Sequence, residues 1–285
     1  MSGHLRLIMV VQTPAMARLV AAGGVETLFV DLEHIGKEAR QGHMPSWKSR
    51  QAMPDVSLIR VAVPDARLLV RVNPPGDHTR AEVDEVITRG ADAVMLPMFR
   101  SRDELLRFVD VVAGRAECLP LFETAAAVDL IPQIAGEGWL TGLHIGLNDL
   151  HLDLGSRFLF EPLADGALEH PCAVLHRKGV PFGIGGIARA GEGIIPPELL
   201  LGEHVRLGSD MAILSQTFHR NAGSAAELED GFDFGAEVAR LRSIYAGFSD
   251  ASAEKLELNR TLVAQRVGEA VRGMTNTAPP ARLAG

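Results

Sequence analysis

Cysteine is almost missing from these 285 residues: only Cys118 and Cys172 occur. Two cysteines make no disulfide framework and suit a reducing compartment. Lysine is scarce too, with Lys37, Lys48, Lys178 and Lys255 the full set. None falls inside an expected strand, which argues against a Schiff-base mechanism needing a buried strand lysine. There is no Lys/Arg block and the net charge is −8, so nucleic acid is not an expected partner. No apolar run approaches the roughly 18 residues of a membrane span. The start, MSGHLRLIMVVQTP, lacks the charged segment and long apolar segment of a signal peptide. A soluble, cytoplasmic protein is expected. Also missing are a G-x-S-x-G nucleophile elbow, His/Cys groups at zinc spacing, and any short-period repeat.

What the chain does have is 47% apolar residues, enough for a sizeable core. Apolar runs alternate with helical patterns. Strands are expected at 5–12, 26–33, 67–72, 92–98, 117–123, 142–147, 180–185 and 205–208 onward to Ile213. Helices are expected at 14–22, 79–89, 101–113, 125–135, within 156–178, and at 197–203. The segment 37–66 reads as helical pieces broken by Pro45, Pro54 and Pro64. Eight βα units of this length favour a (β/α)₈ TIM barrel over a doubly wound sheet, because no G-x-G-x-x-G turn follows the first strand. The barrel is assigned to residues 1–250. Two later helices, near 226–246 and 254–272, follow, and 251–285 is read as a C-terminal helix and frayed tail. The stripe Val263, Val267, Ala270 and Val271 needs a surface to cover, either the barrel or a neighbouring subunit.

The organising stretch is Cys118 to Gly155. Two apolar runs there end on Glu123 and Asp149. Carboxylates at the same end of adjacent parallel strands, about 4.8 Å apart, can share one hard divalent cation. Mg²⁺ or Mn²⁺ fits, with Co²⁺ as an alternative. The competing reading is that both carboxylates cap the helices that follow. In a barrel, C-terminal strand ends face one pocket. Those ends include Gln12, Asp31, Glu33, His34, Arg71, Asn73, Asn148 and Asp210. His34, three residues after Asp31, is read as a general base oriented by that carboxylate. Glu33 is read as turned away from Asp31, supporting the metal indirectly. Arg71 can clamp a carboxylate with two prongs and stabilise an enolate, or form a structural ion pair with Asp31 or Glu33. The glycine-rich run 183–193 could hold phosphate, or be glycine for steric reasons.

VDLEH (30–34), VRVNP (70–74), GADAVMLPM (90–98), FETAAAV (122–128), IGLNDLHLDLG (145–155) and LGSDMAILSQ (207–216) together resemble the HpcH/HpaI aldolase and citrate lyase family, over roughly residues 20–216. The chain departs from that pattern at Leu121, where the aldolases commonly carry Gln, and at Gly146-Leu147, where Gly-Pro is usual. The resemblance implies a metal-dependent aldolase acting on a 2-oxo acid and an aldehyde, on a (β/α)₈ barrel, in a homo-oligomer. It implies Glu123 and Asp149 as metal ligands and His34 with Asp31 as proton carriers. Arg71, with Asn148 and Gln12, would bind substrate. It equally admits a CoA-thioester lyase or synthase of the citrate lyase β or malyl-CoA lyase type, or a non-catalytic barrel that binds 2-oxo acids.

Overall fold

The computed structural model describes residues 4–37, 51–231 and 233–276. β1 (Arg6–Val10) leads to α1 (Pro14–Ala22), β2 (Thr27–Asp31) to α2 (Met53–Ala62), and β3 (Arg67–Arg71) to α3 (Thr79–Thr88). β4 (Ala93–Met95) leads to α4 (Arg102–Val112). β5 comes in two pieces, Glu117–Cys118 and Leu121–Phe122, followed by α5 (Ala125–Ile134). After β6 (Leu143–Ile145) come α6 (Leu147–Asp153), α7 (Glu161–Ala164) and α8 (Glu169–Lys178). β7 (Phe182–Ile187), α9 (Pro197–Leu207) and β8 (Met211–Leu214) complete the alternation. The described chain ends with α10 (Gln216–His219), α11 (Ala225–Glu229), α12 (Phe234–Ser249) and α13 (Ala253–Asn276).

All strand pairings are parallel, and they run round a ring. The first piece of β5 pairs with β4 and the second with β6, so one stave joins the two ends of the sheet. The ladder continues across the interruption: Leu121 N–H donates to Leu96 O at 3.0 Å and His144 N–H to Pro120 O at 3.0 Å. The break falls beside Pro120, which has no amide hydrogen to give. Eight staves therefore close, the expected TIM-barrel architecture.

Strand alternation divides the core in two. Ile8, Phe29, Leu69, Met95, Leu121 and Met211 belong to a small cluster inside the ring. Their strand neighbours Leu7, Met9, Leu28, Val30, Leu68 and Val70 pack outward, in the layer shared with the helices. With both faces buried, the strands read as continuous apolar runs, which is why they were legible as parallel strands.

Three expected elements differ. Residues 205–207 finish α9 instead of starting a strand; Val205 and Leu207 face the core, and Gly208 closes the helix at φ +84°. The last stave is Met211–Leu214. The helix expected near 226–246 is two helices, with Gly231 at φ +77° between them. The run 147–153 is a helix, so Asp149 sits in its first turn and not at a strand end. Pro45, within the uncertain 37–66 segment, and most of the expected tail lie outside the described residues. Of the C-terminal stripe, Val263 and Val267 are buried within this chain. Asn259 Nδ2 donates to Leu199 O and Glu203 Oε1 of α9, where a Cβ on Gly202 would lie 2.5 Å from Asn259. The barrel itself is thus the surface that α13 covers. No helix among the described residues is long and apolar enough to cross a membrane.

Candidate active site

Glu123 follows β5 directly and is buried. It does not cap the next helix. Thr124 does that, its Oγ1 accepting Ala127 N–H at 3.1 Å, while Asp153 accepts Ala125 N–H at 2.8 Å. Glu123 Oε1 instead accepts the amide of Met98, beyond β4, at 3.1 Å. Met98 holds φ +56° to aim that amide. A non-glycine residue there carries roughly 1–3 kcal/mol of strain, a pattern that clusters at functional sites. Gly146, at the end of β6, leaves the space on the other side: a Cβ there would sit 2.9 Å from Glu123 Cβ and 3.0 Å from Oε2.

Asp149 is buried beside it. Burial, then the charge of Asp149, then that of Glu33, push the Glu123 carboxyl well above the usual carboxylate range. Arg71 and the Met98 amide oppose this only in part. A buried carboxyl held neutral beside a second buried carboxylate is a fitting partner for a divalent cation, which would neutralise the pair. Among the described residues no group of three His, Cys, Asp or Glu side chains forms a cage. The donor set fits a cation such as Mg²⁺, which keeps several of its waters.

Next to this pair stands a balanced cluster of two anions and two cations. Arg71 donates through Nε to Asp31 Oδ1 and through Nη2 to Asp31 Oδ2, both at 2.8 Å. Its Nη1 lies 3.4 Å from Glu33 Oε2. Lys37 Nζ donates to Asp31 Oδ2 at 2.7 Å and lies 3.7 Å from Glu33 Oε2. Burial alone would raise Asp31; Arg71 and Lys37 more than reverse that and hold its carboxyl well below the usual range. Glu33 therefore does not turn away from Asp31. Residues two apart on an extended chain share a face, and both carboxylates meet the same two cations.

The two-pronged edge of Arg71 is thus committed to Asp31, the structural pairing of the two alternatives. Arg71 still lines the cavity. His34 is a correction: its ring is exposed, and Nε2–H donates to Gln51 O at 2.9 Å. It neither pairs with Asp31 nor lines the cavity. The physical reason is competition, since Lys37 and Arg71 saturate Asp31. Gln12 is also displaced; it is half-buried and outside the cavity wall. Asn148 lines the wall beside Asp149. Asn73 ties backbone together, Oδ1 accepting from the amides of His34 and Ile35, each at 2.9 Å. Asp210 precedes β8 and pairs with Arg6 at 2.7 Å, at the start of β1, away from the C-terminal strand ends.

Sequence reasoning missed Lys37, Gln51 and His144. Lys37 was set aside because it is not on a strand, yet it is buried at the site. Gln51 Nε2 donates to Val11 O at 2.9 Å and Oε1 accepts Asp31 N–H at 3.0 Å, joining the ends of β1 and β2. His144 points into the barrel; burial lowers its pKa to about 4, so the ring is neutral, and Nε2–H donates to Gly185 O at 3.0 Å. A Cβ on Gly183 would lie 2.3 Å from its Nδ1. Nothing in the sequence marked it, because a lone His in an apolar strand carries no function signal.

The cavity over these residues holds about 800 Å³. Beyond the charged end its walls are apolar, and they come from the segment between α6 and α7 and the loop between β7 and α9.

The family model for "HpcH/HpaI aldolase/citrate lyase" matches residues 7–158. No curated protein matches the chain. Among solved structures, an HpcH/HpaI aldolase from Desulfitobacterium hafniense DCB-2 is similar at 18% identity and TM-score 0.59, covering 81% of this chain and 96% of that one. The citrate synthase SbnG is similar at 16% identity and TM-score 0.56, covering 75% and 86%. Macrophomate synthase is similar at 16% identity and TM-score 0.54, covering 74% and 77%. At these identities the likeness is one of fold. The family match agrees with the barrel and with the residues at its mouth: the chain belongs to the HpcH/HpaI aldolase/citrate lyase family.

Proposed function

We propose that this protein is a divalent-metal-dependent aldolase that joins the enolate of a pyruvate-like 2-oxo acid to an aldehyde, or runs the reverse cleavage. The observation that carries the reading is the buried pair Glu123 and Asp149 at the mouth of a family barrel, where the charge of Asp149 and burial push the Glu123 carboxyl well above the usual range. Glu123 and Asp149 would hold the cation. When bound, it supplies a Lewis acid that polarises the 2-oxo group and favours enolisation.

The chain's own residues do the rest. Arg71, fixed by Asp31, turns its remaining N–H groups to the substrate's carboxylate and to charge developing on oxygen. Because Asp31 and Glu33 hold the guanidinium in place, little reorganisation is needed as that charge grows. Asn148 adds a hydrogen-bonding side chain beside the carboxylate pair.

The test is deuterium uptake into the methyl group of pyruvate in D₂O. Exchange is expected with added Mg²⁺ or Mn²⁺ and none after EDTA. Absence of exchange with Mg²⁺, Mn²⁺ and Co²⁺ alike would overturn the reading.

A further inference from the structure

The cavity has two chemistries. Its inner end holds the carboxylate pair and the Asp31–Arg71–Lys37 cluster. Its outer walls are Phe158, Leu159 and Phe160 on one side and Ile194, Ile195 and Leu200 on another. Phe158 and Phe160 meet edge to face at 5.4 Å, so that wall is braced. Ile194 is 63% exposed, a large apolar side chain left at the opening. Ser215, Gln216 and Thr217 supply uncharged polar atoms.

Among the described residues, Arg71 and Lys37 are the cations of the wall, and both face Asp31 and Glu33. The loop between β7 and α9, where a phosphate site was conceivable from its glycines, turns one of its amides to a carboxylate. Its Ala190 amide donates to the carboxylate of Glu237 at 2.6 Å. Its contribution to the cavity is chiefly Ile194 and Ile195. The glycines of β7 are steric: a Cβ on Gly185, at φ +52°, would lie 2.7 Å from Leu147. A cavity of about 800 Å³ is near the upper end of ordinary ligand pockets and leaves most of its space beyond a three-carbon donor.

We propose that the aldehyde partner is uncharged and carries an apolar body, an alkyl chain of several carbons or an aromatic ring, seated between the Phe158–Phe160 and Ile194–Leu200 walls. This rests on the aldolase reading above. In the forward step the donor's methyl carbon loses a proton, and its electron pair forms a carbon–carbon bond to the aldehyde carbon. The aldehyde π pair moves to oxygen, which takes up a proton, giving a 4-hydroxy-2-oxo acid with an apolar tail. No oxidant or further reactant is needed.

The test compares kcat/KM for acetaldehyde, butanal, hexanal, benzaldehyde, glyoxylate and a phosphorylated aldehyde, with Mg²⁺ and saturating pyruvate, alongside pyruvate deuterium exchange. Burial of each methylene is worth about fourfold, so the four extra methylenes of hexanal should place it roughly 250-fold above acetaldehyde if all are buried, and roughly tenfold or more above it if only two are. Both anionic aldehydes should be the poorer. Metal-free protein should also bind hexanamide more tightly than acetamide, a binding readout independent of turnover. Ile194→Arg, at an exposed position, should shift the ratio of glyoxylate to hexanal towards glyoxylate. A flat chain-length profile, or preference for either anion, would overturn the inference while leaving the aldolase reading in place. Exchange without condensation of any of these aldehydes would do the same. Loss of exchange with every metal would remove both.

Discussion

Replacing Gly146 by alanine adds one methyl group where Glu123 is already in contact. The backbone there, at φ −91° and ψ 99°, is open to alanine, so the effect is purely one of space. The new Cβ would lie 2.9 Å from Glu123 Cβ, 3.0 Å from its Oε2 and 3.2 Å from Leu121 Cδ1. An ordinary contact needs about 3.4 Å or more, so Glu123 must retreat by about 0.5 Å, the tolerance within which a functional group must be held. Overpacking of this size costs about 1–3 kcal/mol, and each kcal/mol is worth about 2–4 °C in melting temperature for a large domain. Moving a ligand's support typically weakens metal binding by about 10–100-fold. The assay is thermal melting with and without Mn²⁺, using Gly138→Ala as control because no atom lies within 4 Å of a Cβ there. Gly146→Ala should melt lower and gain less from Mn²⁺ than either wild type or control. A variant that melts and responds to Mn²⁺ like wild type would refute the placement of Glu123 against Gly146.

Lys37→Met should cost about 3 kcal/mol in chemical denaturation, the low end of the range for breaking a buried pair, because Arg71 still faces Asp31; a change below about 1 kcal/mol would count against the cluster. Arg71→Lys keeps the charge but cannot reproduce a two-pronged bond to Asp31, so turnover should fall by roughly 100-fold or more; near-normal rates would contradict its role. Asp31 has a lowered pKa in the folded state, so the stability it adds is present above its unfolded value of about 3.9 and is lost as pH falls further. Asp31→Asn should therefore be less stable than wild type at neutral pH, with the gap narrowing below about pH 4 in denaturant titrations. A gap that stays constant with pH would show that Asp31 is not held low by its cationic partners.

The barrel was legible because parallel staves are buried on both faces and read as plain apolar runs. Glu123 was legible for the same reason: it is the first charge after such a run, and Thr124 behind it is a better cap. Asp149 was found although its setting was misread, since the short strand Leu143–Ile145 gives way to a helix whose apolar residues continue the run. Of the two cations that hold Asp31, Arg71 was among the alternatives read from the sequence and Lys37 was not. His34 is nearer in sequence, but Lys37 and Arg71 carry permanent charge and reach the carboxylate through the fold. Lys37 was invisible because strand position was taken as the test for burial, and a loop residue can be buried under its neighbours. The outer cavity was equally hidden: Phe158 to Phe160 and Ile194 to Ile195 lie on connections whose shape depends on the whole barrel.

Titration of metal-free protein with Mn²⁺, followed by the loss of the free-ion electron paramagnetic signal, reports most directly on the paired carboxylates. One ion should be taken up per chain by wild type, with uptake lost in Glu123→Gln and in Asp149→Asn while both variants stay folded by circular dichroism. No uptake by wild type, or undiminished uptake by the two folded variants, would contradict a shared ion at Glu123 and Asp149.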